Sequence, residues 1–500
     1  MRALFFNPNY DTKALNFQRM TGFPMGLVSI ATYLNRHGHT ANVIDRTFCG
    51  EALETLLETY TPDVVGISLV SNLTIPDMIL VSDFFRARKI PVILGGTYAS
   101  MISDIILNED KADLVAVGEG EQIWLNIMNA MAEGGNLHAL NGVVYKDENG
   151  GIVEMPPEPF LDLSLLGPAD FSLLPNVSDY FQPVYRYENM VYLYLSKGCP
   201  SSCTFCFNEF FHRCCRRVRP VDDLLDEIEF LIKHHGLETV YFADELWGAK
   251  KSERDEFYEK KKARGLSFIW GCQTRVGVLK QADIEEMYEN GCRWILFGIE
   301  TPPGHLAEIA NKKLPFDLVA PTLEWCRSAG MISSVSFILN YPHETVQDLK
   351  DTVSYMQSLP TTYYNVNLYS PFEKSALFDL VVKEGLYDPP KTLEALSQNA
   401  MIETLYSSFS EVPDRDYRVI RACFMVEDLF ARYPNIKKEK SASFIFEAIK
   451  TVLLNIRTLK FREWFRGIFY SGRYFVVTMS YVIFFPRTRK KYGFKFRFKR

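Results

Sequence analysis

Ten cysteines occur in the 500 residues, and five of them fall between Cys199 and Cys215. Cys199, Cys203 and Cys206 are spaced C-x3-C-x2-C within Ser196-Lys197-Gly198-Cys199-Pro200-Ser201-Ser202-Cys203-Thr204-Phe205-Cys206. Three thiolates in so short a loop can wrap one compact metal centre. A structural zinc site takes four ligands, usually as two separated pairs. Three cysteines in one loop suit an iron–sulfur cluster with one iron left open. The rival readings are three unpaired thiols, or a zinc knuckle completed by His212, Cys214 or Cys215. Clustered cysteines without a secretory segment point to metal or redox chemistry rather than disulfides. Cys272, Cys292, Cys326 and Cys423 read as buried small hydrophobes.

Something must position that loop. It follows the apolar run Val191–Leu195, the first of six candidate strands; the others are Thr239–Phe242, Ser267–Cys272, Trp294–Gly298, Ser333–Leu339 and Tyr364–Tyr369. Helical patterns separate them. Six βα units with right-handed crossovers predict a barrel, or one left partly open, with chemistry at the strand carboxyl ends.

An earlier series alternates in the same way. Strands are expected at Ala3–Phe6, Ala41–Ile44, Val64–Leu69, Pro91–Leu94 and Leu114–Val117, with a hairpin at Val143–Val153 around Asn149-Gly150. Continuous apolar strands between helices imply a parallel sheet covered on both faces. Ligands bind past the carboxyl ends of such strands, where Asp45, Ser68, Gly95-Gly96 and Gly118-Glu119 stand. Pro156-Pro157-Glu158-Pro159, then Pro168, Pro175 and Pro183, read as a linker. The expected organisation is an α/β chain: a doubly wound, Rossmann-like domain over 1–145, a linker over 146–188, a partial (β/α)6 barrel over 189–400 and a helical region over 401–500.

Composition bounds the rest. With 47% apolar and 23% charged residues, the chain is neither disordered nor fibrous. The net charge of -6 is uneven. From Arg457 to Arg500 there are 13 Lys/Arg and one acid, Glu463, which leaves 42 basic and 60 acidic residues, a net of -18, elsewhere. Trp464, Phe465, Phe469, Tyr470, Tyr474 and Phe475 are interleaved with Arg462, Arg466 and Arg473. Aromatics among basics suit a membrane interface or an anionic partner; the plainer alternative is a tail packed on the acidic body. No nucleic-acid-binding module accompanies the charge, so no nucleic-acid partner is expected. The longest apolar run, Tyr474–Phe485, is about half of a membrane span. The expected location is cytoplasmic, with membrane association through the tail as the addition.

C-x3-C-x2-C with an aromatic before its last cysteine, here Phe205, resembles the radical S-adenosylmethionine superfamily. In that family the three cysteines hold a 4Fe-4S cluster whose open iron chelates S-adenosylmethionine, and one electron cleaves it to a 5'-deoxyadenosyl radical. Further segments agree in order. Tyr241-Phe242-Ala243-Asp244-Glu245 stands where such enzymes place Gly-Gly-Glu; the glycines are absent, so Asp244 or Glu245 would hold the methionine amine. Gln273-Thr274-Arg275-Val276 and Gly298-Ile299-Glu300-Thr301 end the third and fourth strands. Phe337–Thr345 resembles the segment bordering the adenine, with Asn340 where glycine is usual. The resemblance thus implies Phe205, Asp244, Glu245, Arg275, Gly298, Glu300 and Asn340 around S-adenosylmethionine. No catalytic side chain is assigned.

The first series resembles the cobalamin-binding domain that precedes the barrel in one large subfamily. The resemblance implies Asp45, Thr47, Gly50, Ser68, Gly95, Gly96, Gly118 and Glu119 around cobalamin. The familiar Asp-x-His-x-x-Gly fingerprint reads Asp45-Arg46-Thr47-Phe48-Cys49-Gly50, so Thr47 replaces the histidine and cobalt should lack a histidine ligand. A methylthiotransferase would need three more cysteines early in the chain, and Cys49 alone precedes Cys199. The resemblance implies a cobalamin-dependent radical enzyme that methylates an unactivated carbon of a small-molecule or lipid-like substrate, drawing electrons from a flavodoxin or ferredoxin. Radical cyclisation, oxidation or rearrangement with the same cofactors is the alternative. A non-catalytic cobalamin sensor is the rival from another class.

Overall fold

The computed structural model describes residues 1–9, 22–398, 409–432 and 485–495. Its first sheet contains Arg2–Asn7 (β1), Thr40–Asp45 (β2), Val64–Ser68 (β3), Val92–Gly95 (β4), Leu114–Ala116 (β5) and the hairpin Val143–Lys146 (β6) and Ile152–Glu154 (β7). The order is β2-β1-β3-β4-β5-β6-β7, parallel up to β5 and antiparallel in the hairpin. The two-residue period of a strand is visible in the packing. Ala3 and Phe5 enter one core, with the helices Met25–Arg36 and Gly120–Glu133; Leu4 and Phe6 enter another, beside Ile75–Arg86. Burial on both faces is why these strands read as unbroken apolar runs.

The second sheet begins with Gln182–Val184 (β8) and Tyr187–Leu193 (β9). A two-residue ribbon, Ser196–Lys197 (β10) with Arg217–Val218 (β11), brackets the cysteine loop. Thr239–Phe242 (β12), Ile269–Thr274 (β13), Cys292–Glu300 (β14), Ile332–Leu339 (β15) and Tyr363–Leu368 (β16) follow. The order is β16-β15-β14-β13-β12-β9-β8. The six expected strands are parallel neighbours, and β8 adds an antiparallel edge that no apolar run announced. β16 and β8 are opposite edges, so the sheet is an open half-barrel.

The proline-rich stretch differs from a loose linker. Leu163, Leu166, Phe171, Leu174, Val177 and Tyr180 are buried, and they belong to one core continuous from Phe5 to Val366. Prolines block regular pairing, so the segment runs as short 3-10 turns, and its apolar side chains cement the two sheets. Farther on, the helix Leu393–Gln398 returns to the first sheet, where Leu393 and Leu396 complete the second core.

No described helix is long and apolar enough to cross a membrane. The aromatic stretch with Trp464, Tyr474 and their arginines lies outside the described residues, but the chain beyond it packs on the body. The helix Pro486–Lys491 meets the helix Asp414–Arg432 at Asp416, whose carboxylate accepts from Lys491 Nζ and the Tyr492 hydroxyl at 3.0 Å each and from Thr488 at 3.4 Å. Replacing Asp416 by Ala strips the acceptor from buried Thr488 and Tyr492, at a cost of about 1–3 kcal/mol. The variant should show a lower thermal midpoint and faster tryptic cleavage around Arg487–Lys491.

Candidate active site

The cysteine loop is held from three strands. Asp244, fully buried after β12, accepts the backbone N–H of Leu195 at 3.1 Å together with the N–H and hydroxyl of Ser196. Burial pushes its carboxyl up to about 6 against those bonds. Both oxygens are thereby engaged in anchoring the loop. Glu245, next in sequence, accepts the Gly198 N–H at 2.9 Å and keeps an oxygen toward His212. At Gly198 a Cβ would stand 2.1 Å from the Cys215 carbonyl, so the turn admits glycine alone. Asn208 staples the loop from within: it accepts the Cys199 N–H at 3.0 Å and donates to the carbonyls of Cys199 and Ser201 at 2.7 and 2.9 Å. Arg275, after β13, donates to the Ser201 hydroxyl. Thr204 bonds the carbonyls of Ile309 and Ala310, beyond β14.

The three thiols are free. Burial raises Cys203 and takes Cys206 up to about 11, while the Lys312 ammonium opposes it at both. Among the described residues no three His, Cys, Asp or Glu converge on a single ion. In a 4Fe-4S cluster, three cysteine donors would leave one iron open. Cys214 also reaches the loop: its Sγ is 3.5 Å from the Ser201 carbonyl and 3.8 Å from Asn208.

Across the mouth of the half-barrel, β14 and β15 slip register between Gly298 and Glu300, and Glu300 takes a φ of +70°. The slip turns its carboxylate inward, where Ser336 donates at 3.1 Å and Lys312 Nζ stands 3.9 Å away. A Cβ on Gly298 would collide with that carboxylate. Asn340 has a φ of +67°, a region that glycine and asparagine tolerate best, which accounts for the departure from glycine. Its side-chain oxygen accepts the Phe409 N–H at 3.3 Å. Phe205 lies edge-on to Tyr341 at 6.3 Å.

A cavity of about 470 Å3 lies where the carboxyl edges of the two sheets face each other. Ser68, Gly95, Gly96, Gly118 and Glu119 form its first wall; Tyr192, Tyr194, Lys197, His212 and Glu245 form the opposite one. Asp45, Thr47 and Gly50 are not on either wall. Asp45 instead accepts the buried Tyr180 hydroxyl at 2.9 Å and the Thr47 N–H at 2.9 Å, tying the linker segment to β2. His212 has Nδ1 3.3 Å from Glu119 and Nε2 3.3 Å from Glu245, so both ring nitrogens of the cavity histidine face carboxylates. His37 and His39 bond elsewhere, to Tyr33 and Asn129.

Sequence pattern assigns no role to Lys197 and Arg217, and to His212 only that of a rival zinc ligand, yet the three tie the two domains together. Lys197 Nζ donates to Glu121 at 2.8 Å and stands 3.9 Å from Glu119; Arg217 pairs with Glu119, and His212 faces it. Burial alone would raise the Glu119 carboxyl, but His212, Lys197 and Arg217 bring it down to about 2. The signal available was the pairing of Glu119 and Glu121 at the start of one helix with cations flanking a distant cysteine loop.

Comparison with known proteins agrees with this geometry. The B12 binding domain family matches residues 19–127, and the Radical SAM superfamily matches residues 193–356. The chain is a radical S-adenosylmethionine enzyme with a B12-binding domain. Its cofactors are accordingly a 4Fe-4S cluster, S-adenosylmethionine and cobalamin. An uncharacterized methyltransferase of Pyrococcus horikoshii is 23% identical over 77% of this chain and 84% of its own. The anaerobic magnesium-protoporphyrin IX monomethyl ester cyclase of Rubrivivax gelatinosus is 23% identical over 99% of this chain and 88% of its own. The radical S-adenosylmethionine methyltransferase TsrM of Kitasatospora setae, solved with cobalamin and a [4Fe-4S] cluster, superposes with a TM-score of 0.63 at 16% identity, covering 77% of this chain and 75% of that one.

The Glu119 cluster has a calculable pH dependence. Its carboxyl sits below its ordinary 4.5 in the fold, so its contribution is complete above that value and fades as pH falls toward 2. At one pKa unit per 1.36 kcal/mol the full effect is about 3 kcal/mol. Urea unfolding of Glu119→Gln against the parent should show a gap near neutral pH that narrows progressively below pH about 4.5.

Proposed function

We propose that this enzyme methylates an unactivated carbon of a small-molecule or lipid-like substrate, using a cluster on Cys199, Cys203 and Cys206 and cobalamin in the interdomain cavity. The carrying observation is that one cavity is walled by both domains. Ser68, Gly95 and Gly118 meet it from the first sheet, while Lys197 and Glu245, which flank the cysteine loop, meet it from the second. When bound, the three groups supply one-electron hydrogen abstraction and a transferable methyl.

The chain's own residues hold and shield these groups. Glu245, Arg275 and Glu300 are our assignments for S-adenosylmethionine, bordered by Phe205, Gly298 and Asn340. Asp244 positions the loop instead. Lys312 places positive charge beside Cys203, Cys206 and Glu300, where thiolates need it. Ser68, Gly95, Gly96, Gly118 and Glu119 are assigned to cobalamin. The domain limits 1–145, 146–188, 189–400 and 401–500 belong to this reading, as does a reductant of the flavodoxin or ferredoxin kind. A second reading, radical ring closure or oxidation with the same cofactors, is favoured by the cyclase match extending over 99% of the chain.

Anaerobic turnover separates the two. 5'-Deoxyadenosine with S-adenosylhomocysteine means methylation; 5'-deoxyadenosine alone means the second reading. Changing Cys199, Cys203 and Cys206 together to Ala should remove about four irons per chain and abolish S-adenosylmethionine cleavage with the fold retained. Changing Cys214 and Cys215 should do neither. Retained cleavage in the triple variant would overturn the assignment.

Gly95 tests the cobalamin site cleanly. An added Cβ there makes only ordinary contacts with Ala116, whereas Gly96 combines a φ of +103° with a 2.8 Å approach to the Leu69 carbonyl. Gly95→Leu should lose the visible absorbance of bound corrin after gel filtration at an unchanged thermal midpoint. The parent's Co(II) resonance should lack nitrogen hyperfine structure from a protein histidine.

A further inference from the structure

The two faces of the second sheet differ. Val240, Phe242, Trp270, Ile295, Val335 and Phe337 point to the helices and are essentially inaccessible. The alternate positions point into the open half-barrel, and several are solvated: Tyr192 is 36% exposed and Asn365 is exposed. Register identifies this inner face. Tyr241 lies opposite Tyr192 and its hydroxyl reaches Gln273 at 3.4 Å; Ser336 lies opposite Asn365 and bonds inward-turned Glu300.

The inner face has an aromatic floor. Trp294 covers Gly271, where a Cβ would fall 2.0 Å from the indole. It stacks on Tyr187 at 5.5 Å and on Tyr241 at 6.0 Å. The indole N–H, fully buried, meets no acceptor among the described residues. Above the floor the donors and acceptors are uncharged: Gln273, Ser336, Asn365 and Asn367. No inward position of β12 to β16 between Trp294 and Glu300 carries a formal charge. Tyr192 belongs both to this face and to the wall of the interdomain cavity.

We infer that this inner face is the substrate platform, and that it takes a neutral molecule with a flat or ring-shaped apolar body bearing hydroxyl, carbonyl or amide groups. The inference rests on the radical-enzyme reading and adds the substrate class to it. Exposed tyrosine rings such as Tyr192 gain from stacking on such a body, with Trp294, itself 1% exposed, packed behind them. Carboxamide side chains offer both a donor and an acceptor, so they satisfy neutral polar groups. A charged group there would be desolvated without a counter-ion, which is costly.

An isosteric pair of probes tests this. The full-length protein, reconstituted with its cluster, is titrated anaerobically with 2-naphthamide and with 2-naphthoate, and binding is read by saturation-transfer NMR. The neutral amide should bind roughly tenfold or more tighter than the anion. Asn365→Asp, at an exposed position that keeps the fold, should widen that ratio by excluding the anion further. Asn365→Lys should reverse it. Tyr192→Ala should weaken both probes. Binding of neither probe, equal binding, or ratios indifferent to residue 365 would overturn the inference. Iron content and uncoupled 5'-deoxyadenosine formation in the same preparations report on the radical-enzyme reading alone, so the two failures are distinguishable.

Discussion

A carboxylate at the start of one helix holds the molecule's two halves in working register. Glu119 sits at the carboxyl edge of the first sheet, and its counter-charges Lys197, His212 and Arg217 all flank the cysteine loop of the second. Burying such a cluster is unfavourable unless every charge finds a partner. The partners come from both domains, so neither half can settle its own charges alone. The cavity's walls therefore have a fixed separation. That separation decides whether a group on the first sheet can reach one presented by the second.

The loop's internal anchors follow the same logic at shorter range. Asp244 and Glu245 are neighbours in sequence, yet Asp244 faces backwards into Ser196 and Glu245 faces the cavity. Adjacent strand-end residues point to opposite sides, so one carboxylate becomes scaffold and the other remains available to a ligand. Sequence pattern alone left the choice between them open.

What was legible followed from local rules. Cysteine spacing, strand-end glycines and unbroken apolar runs each report on a few neighbouring residues, and they located the cysteine loop, both sheets and the glycine wall of the cavity. Features made by distant partners were hidden. Tyr180 and Asp45 are far apart in sequence, so nothing marked the hydrogen bond between them. Proline content disguised 161–180 as a tether, because prolines forbid regular elements without forbidding burial. Edge strand β8 is three residues long and carries a proline, too little for a periodicity to register.

The return of Leu393 and Leu396 to the first sheet bears on how the protein is made. The helix they pack on ends at Arg86, yet its last apolar cover emerges from the ribosome about 310 residues later. At roughly 5–20 residues per second, that is a delay on the order of tens of seconds. Through that interval the nascent first domain shows an uncovered apolar patch on the helix Ile75–Arg86 and the turn before it. Synthesis order thus leaves the amino-terminal half without its last apolar cover until the segment near residue 395 has been made.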